Sequence, residues 1–314
     1  KIFKLMKIKK PRFWDKKVGI AAIILLPVSF LFQLLLKFKK MISNEISFKI
    51  PVICVGNIYL GGTGKTPLSI MLAQELKKEG KKPALIRKYY IEHNDEHNLI
   101  NNYVDCLFVD KERSIAIEKA QNEKYNIAIL DDGFQDYSIK KNLNIICFNS
   151  AQLVGNNMTL PSGPLREKFS GLKKVQIVLI NGNKNEFFEK KILNVSNDIK
   201  IFYSKYLVTN IDEFKRKELF AFAGIGNPEN FFDILNYNNF NIKKKVKFAD
   251  HYQFSKNEIK KMIDYSLKNN LDLITTEKDY LRIKHYGFKN IRFLKIKLEI
   301  LEKEKLIQEI LRYS

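Results

Sequence analysis

The chain has 314 residues, 45% apolar and 28% charged, which suffices for one large core or two modest ones and excludes a disordered chain. Its 55 lysines and arginines outnumber 34 aspartates and glutamates, and the formal charge of +21 implies an acidic partner: nucleic acid, an anionic membrane or a phosphorylated substrate. Cys54, Cys106 and Cys147 each lie inside an apolar run without metal or redox spacing, which excludes a disulfide framework and reads as buried free thiols.

Val18 to Leu36 reads VGIAAIILLPVSFLFQLLL, uncharged and flanked by Lys16, Lys17, Lys37, Lys39 and Lys40. As one helix, rising ~1.5 Å per residue, it would cover roughly the hydrocarbon thickness of a bilayer. The run is long for a signal peptide and no small-residue cleavage site follows it. Lys1, Lys4, Lys7, Lys9, Lys10 and Arg12 precede it, and such a basic flank stays in the cytoplasm. A span would then carry everything downstream outside. Pro27, Ser29 and Gln33 also interrupt the apolar run. The expectation for residues 1–40 is therefore a helix or bent hairpin in the cytoplasmic face of a membrane, its basic flanks on anionic headgroups. A true span and a buried core helix are the alternatives.

Pro51–Gly56 (PVICVG) reads as the first strand, and Pro67–Gly80 as a helix with proline in its first turn and glycine past its end. Between them runs VGNIYLGGTGKTP, a glycine turn from strand to helix. Gly61, Gly62 and Gly64, with Thr63 between, let successive amides point at an anion, and the helix N-terminus adds partial positive charge. Lys65 reaches the β/γ-phosphates of ATP and the Thr66 hydroxyl ligates Mg²⁺. The standard spacing has glycine at position 59, where this chain has Tyr59; the Gly61–Gly62 pair resembles the GGxGKT of deviant P-loops.

Further strands follow at Pro83–Arg87, Val104–Val109, Asn126–Asp132, Asn144–Asn149, Val175–Asn181, Glu218–Gly226 and Leu271–Thr276. Continuous apolar strands separated by helices give an α/β fold with a P-loop NTPase-like parallel sheet covered on both faces. A nucleotide-binding domain is expected over 41–150 and a second, smaller α/β domain over 151–298. The closing helix, within 299–314, would pack back on the first. The run IAILDDGFQD ends its strand on Asp131 and Asp132, and adjacent carboxylates on an extended chain face opposite sides. One can face Mg²⁺ and the other substrate or a cation.

GNIYLGGTGKTP, ILDDGFQD, LPSGPLRE (Leu160–Glu167), FAGIGNPENFF (Phe222–Phe232), DHYQF (Asp250–Phe254) and TTEKD (Thr275–Asp279) occur in that order over nearly the whole chain. Together they resemble the tetraacyldisaccharide 4'-kinase family, the lipid A 4'-kinases of Gram-negative bacteria. The resemblance implies transfer of the ATP γ-phosphate to the 4'-hydroxyl of a tetraacylated glucosamine disaccharide 1-phosphate. It implies two α/β domains with the site in the cleft between them, work at the inner membrane, and no obligate protein partner. It carries Arg166 and Glu167 toward the phosphates or the metal, with Thr66, Asp132 and Glu167 as the expected metal set. It also carries an Asp–His pair for proton removal, matching His251 and Asp95, the latter beside Glu96. Here the chain departs from the family: IRKYY (Ile86–Tyr90) keeps Arg87 and Tyr89 but lacks two glycines, and Asn94 replaces the glycine before Asp95. Asn227 and Lys278 are candidates for substrate or nucleotide contacts. The competing classes are a membrane ATPase switch without a lipid acceptor, which would carry a second lysine early in the loop, and a nucleic-acid binder, for which no motif is present.

Overall fold

The protein is described here from a computed structural model covering residues 11–90 and 94–314, the side chains of Asn94 and Asp95 excepted. Lys1, Lys4, Lys7, Lys9, Lys10 and His93 lie outside the described residues, as does the Asp95 side chain. In chain order the elements are α1 (Ile20–Ile24), α2 (Leu26–Ile42), β1 (Val52–Gly56), α3 (Lys65–Lys78), β2 (Pro83–Lys88), α4 (Asn94–Asn101), β3 (Leu107–Asp110), α5 (Arg113–Asn122), β4 (Ile127–Asp131) and β5 (Leu143–Asn149). They continue with β6 (Ile177–Asn181), α6 (Glu186–Leu193), β7 (Lys200–Val208), β8 (Glu218–Ala223), α7 (Pro228–Tyr237), β9 (Asn241–Lys247), α8 (Lys256–Lys268) and β10 (Asp272–Thr276). The chain closes with α9 (Glu277–Ile283), β11 (Ile291–Leu294), β12 (Ile296–Ile300) and α10 (Lys303–Leu311).

Two sheets result. The larger has the order β12-β7-β6-β5-β1-β4-β2-β3, and the smaller, entirely parallel, has the order β11-β10-β8-β9. β1 lies between β4 and β5, parallel to both, and all three are buried along their full length. Buried Val, Ile and Leu on both faces of a strand are what a sheet covered by helices requires. Residues 11–90, Tyr103–Lys205 and Leu298–Ser314 form one compact unit; residues 94–102 and Tyr206–Lys297 form the other.

This division corrects the expected boundary. β6 pairs with β5 (Ile145↔Ile177) and β7 with β6, so the large sheet continues well past residue 150. The apolar run of β6 extends the first sheet, where it pairs in parallel with β5 and is buried along its length. The short segment of α4 also belongs to the second unit although it falls between β2 and β3 in sequence. Lys303 of α10 pairs with Glu75 of α3 at 3.1 Å.

The N-terminal apolar run is two helices. Pro27 occupies the first turn of α2, and Leu25 caps it between the two helices. The segment touches its unit through a narrow stripe of Trp14, Ala22 and Ser29, while Ile20 (78% exposed), Phe30, Leu35 and Phe38 face outward. No helix among the described residues is long and apolar enough to cross a membrane.

Candidate active site

The glycine loop joins β1 to α3. Gly61 and Gly64 have φ of 141° and 93°, conformations that side chains rarely adopt, and Gly64 is the N-cap of α3. Gly62 lies between them without a positive φ. Asn57, fully buried, braces the turn from within: its Nδ2 donates to Gly61 O (3.2 Å) and to Thr63 Oγ1 (3.1 Å). Lys65 and Thr66 open α3, so their side chains start where the first amides of the helix are free. The loop thus has the strand, glycine turn and helix start that the sequence pattern predicts.

β4 delivers both acids beside this loop, because Val55 pairs with Asp131 across the strands and the Asp132 amide donates to Val55 O (2.9 Å). The two carboxylates then part company. Asp131 is buried and accepts from Thr66 Oγ1 (2.9 Å) and Ser69 Oγ (3.2 Å), with Arg87 at 3.4 Å. Asp132 turns the chain at φ 57° and aims its carboxylate at cations: Arg166 Nη1 lies 2.8 and 3.1 Å from its two oxygens, and Lys65 Nζ 3.7 Å from one. Burial would raise the Asp132 carboxyl, but Lys65, Arg166 and Arg113 outweigh it and hold it well below the usual carboxylate range. Burial lowers the Lys65 ammonium, an effect that Asp132 opposes and Arg166 reinforces.

The carboxylate bonded to Thr66 is therefore Asp131, whereas the sequence reading placed Asp132 in the metal set. The reason is local: the left-handed turn at Asp132 rotates its side chain onto Arg166. Glu167 pairs with Lys174 (3.0 Å), whose ammonium lies 4.2 Å from the Phe134 ring centroid; the second Glu167 oxygen is buried. The available donors on this side are hydroxyl and carboxylate oxygens, which suit a hard cation such as Mg²⁺. Among the described residues no group of three His, Cys, Asp or Glu forms a metal site by itself. Mg²⁺ usually fills its remaining positions with water and substrate phosphate.

Sequence reasoning missed the clamp on this turn. Arg113 of α5, almost fully buried, donates to Asp132 O (2.8 Å) and Asp136 Oδ2 (3.0 Å), and Lys141 donates to Asp136 O. Gln135 Nε2 adds a bond to Asn57 O (2.9 Å), tying DDGFQD to the glycine loop. A basic residue many positions before an acidic turn carries no signal in sequence alone.

In the other unit, His251 has φ 53° and sits between Glu96 (3.8 Å from Nε2), Asp250 (3.9 Å) and Arg282, whose Nη2 lies 3.5 Å from Nδ1. Burial, Lys278 and Arg282 lower the His251 pKa against the opposing charges of Asp250 and Glu96. Lys278 pairs with Glu96 at 2.5 Å. The FAGIGN and TTEKD motifs prove to be one construction: the Gly224 amide donates to Asp279 Oδ2 (2.9 Å), and Arg282 bridges Gly224 O and Asp279 Oδ1, both at 2.7 Å. Asn227 is the N-cap position of α7 without a side-chain capping bond. His97 is buried, and the His285 ring packs at a tilt of 48° against Tyr286, with centroids 4.0 Å apart.

A family model described as tetraacyldisaccharide-1-P 4'-kinase matches residues 21–314. A Pelagibacter ubique protein named tetraacyldisaccharide 4'-kinase is 40% identical over 98% of this chain and 99% of its own length. One of the same name from Rickettsia canadensis is 32% identical over 98% of both chains. In structure the chain resembles the "apo" form of LpxK from Aquifex aeolicus in complex with ATP, with a TM-score of 0.71, 23% identity, and coverage of 94% of this chain and 99% of the other.

Proposed function

Since the chain belongs to the tetraacyldisaccharide-1-P 4'-kinase family, and is thereby a lipid A kinase, we propose that its glycine loop holds ATP for transfer of the γ-phosphate to the 4'-hydroxyl of a tetraacylated glucosamine disaccharide 1-phosphate. The observation that carries this reading is the grouping of Lys65, Thr66, Asp131, Asp132 and Arg166 around one glycine turn. Phosphoryl transfer is mainly positioning and charge neutralisation. The loop amides from Gly61 to Thr66 and the Lys65 ammonium bind the β/γ-phosphates. Arg166, held by Asp132, neutralises charge on the transferring group. Thr66, bonded to Asp131, would hold Mg²⁺ with Asp132 and Glu167 added by the family resemblance, and the ion would supply further neutralisation of phosphate charge.

The acceptor hydroxyl loses a proton as it attacks. His251 is the group that takes it, because its lowered pKa keeps the imidazole unprotonated near neutral pH. The family resemblance assigns Asp95 as its partner in proton removal. The exposed apolar face of α1 and α2, followed by Lys37, Lys39 and Lys40, supports residence in an anionic interface at the cytoplasmic side of a bacterial inner membrane.

The test is turnover by the purified protein with ATP and the detergent-dispersed acceptor. Product should form only with a divalent cation present, and Asp132→Asn should lose most turnover. Equal rates with and without a chelator would remove Mg²⁺ from the account. ATP hydrolysis without phosphorylated lipid would favour the ATPase switch.

A further inference from the structure

Tyr59 stands where the standard phosphate loop has glycine, and the structure gives it a partner. Its ring is fully buried, and a Cβ built on Gly61 would lie 3.5 Å from Tyr59 Cε1, so the phenol packs beneath the turn itself. Its hydroxyl donates to Asp15 Oδ1 at 3.0 Å. Burial and the Asp15 charge push the phenol pKa far up, so it remains the donor at any physiological pH. Asp15 belongs to the short RFWD turn (Arg12–Asp15) just before the apolar helices.

That turn is also fastened to the segment that leads into Arg166. Trp14 Nε1 donates to Pro161 O (3.0 Å), and Asn156 N donates to Trp14 O (2.7 Å). Ser29 of α2 donates to Thr159 O (3.0 Å) and accepts from Ser162 N (3.0 Å). The same segment is stitched to the phosphate loop: Leu60 N donates to Pro164 O (2.8 Å) and Arg166 N to Ile58 O (2.7 Å). The N-terminal segment thus braces both the loop that grips phosphate and the strand-like stretch that presents Arg166. All of these contacts lie within one compact unit.

We propose that Tyr59, held by Asp15, is a positioning residue for ATP, through which the membrane-facing N-terminal segment fixes the shape of the phosphate loop. The proposal rests on the assignment of ATP to that loop. A pre-shaped loop binds its ligand without first losing conformational freedom. Without the hydroxyl, the Tyr59–Asp15 bond is lost and Gly61 stands over a ring held less firmly. The segment then does more than anchor the enzyme, because its loss would weaken nucleotide as well as membrane binding.

The experiment is calorimetric titration of a non-hydrolysable ATP analogue with Mg²⁺ into the full chain in detergent, for wild type, Tyr59→Phe, Asp15→Asn and the double variant. Steady-state KM values for ATP and for the lipid acceptor, and Tm, are measured alongside. A loop that must be re-ordered on binding, at a cost on the order of one net hydrogen bond, should bind the analogue about 3- to 10-fold more weakly in each single variant. The double variant should be no weaker than either single, with the acceptor KM and Tm near wild type. Trp14→Phe, which removes the bond to Pro161 O, should weaken binding in the same way and serves if Tyr59→Phe does not fold. Wild-type analogue affinity in the single variants, effects that multiply in the double, or a change confined to the acceptor KM would each overturn the proposal. Lys65→Ala separates the two levels. If it also binds the analogue like wild type, ATP does not sit on this loop and both readings fail; if it alone loses binding, only the role of Tyr59 fails.

Discussion

Lys65 and Arg166 share one carboxylate, Asp132, and that sharing fixes where the two positive charges stand beside the glycine turn. Lys65→Ala should lower kcat/KM on the order of 10²-fold or more, since a pre-placed charge is lost from a site where water cannot replace it. Arg113 acts one step back. Lysine at 113 keeps the charge but cannot fork to Asp132 O and Asp136 together. Arg113→Lys should reduce kcat about 10-fold, because a loosened turn misplaces Asp132 and the cations it holds, with the ATP KM little changed; an unchanged kcat would show that the turn holds without the fork. His251 bears on pH dependence. Its pKa is lowered, so with His251 as the proposed base the acid limb of kcat should fall below the usual imidazole value of about 6.5. His251→Ala should cost about 10²- to 10⁴-fold in kcat and abolish that limb; a wild-type rate would exclude it as the base. At this scale the glycines, Lys65, Thr66 and the two aspartates were legible, because their chemistry depends on neighbours a few positions away. Arg113, Asn57 and the Asp15–Tyr59 bond were not, because each joins segments that only folding brings together. The adjacent acids were separable in sequence only as a pair; the left-handed turn at Asp132 decides which faces the cations.

The buried strands β1, β4, β5 and β6 announce themselves as unbroken apolar runs, whereas β7 and β9 are interrupted by lysines and escape that pattern. β9 (NIKKKVK) is the outer strand of its sheet, where alternate lysines face solvent and discourage pairing with another chain. The domain boundary was misjudged for a different reason: β6 is legible as a buried strand, but an apolar run does not say which sheet it joins, and only its pairing with β5 assigns it to the large one. Packing in the central strands sets stability. Ile53 of β1 is fully buried, and Ile53→Ala should cost about 2–5 kcal/mol, read from denaturant unfolding; a loss under about 1 kcal/mol would mean the sheet closes over the gap. For α1 and α2 the expectation concerns surface. Ile24→Glu with Phe30→Glu places charge on the exposed apolar face and should release the protein from anionic vesicles while leaving Tm near wild type. Retained vesicle binding would move the membrane contact elsewhere.

Across the whole chain the charge of +21 favours any anionic surface and any phosphorylated ligand. Vesicle binding should therefore weaken as salt rises, and should weaken further when anionic lipid is replaced by zwitterionic lipid; insensitivity to both would leave the apolar face as the sole contact. Charge alone fits a nucleic-acid binder equally well, and it is the glycine turn with its acids, the ordered motifs and the family membership that decide for a kinase. The central claim is that this chain phosphorylates a sugar hydroxyl of an acylated disaccharide 1-phosphate. Mass spectrometry of the lipid after incubation with ATP, Mg²⁺ and the purified protein tests it most directly. The account predicts a bisphosphorylated disaccharide, one phosphate heavier than the acceptor and absent with Lys65→Ala; an unchanged acceptor alongside consumed ATP would contradict it.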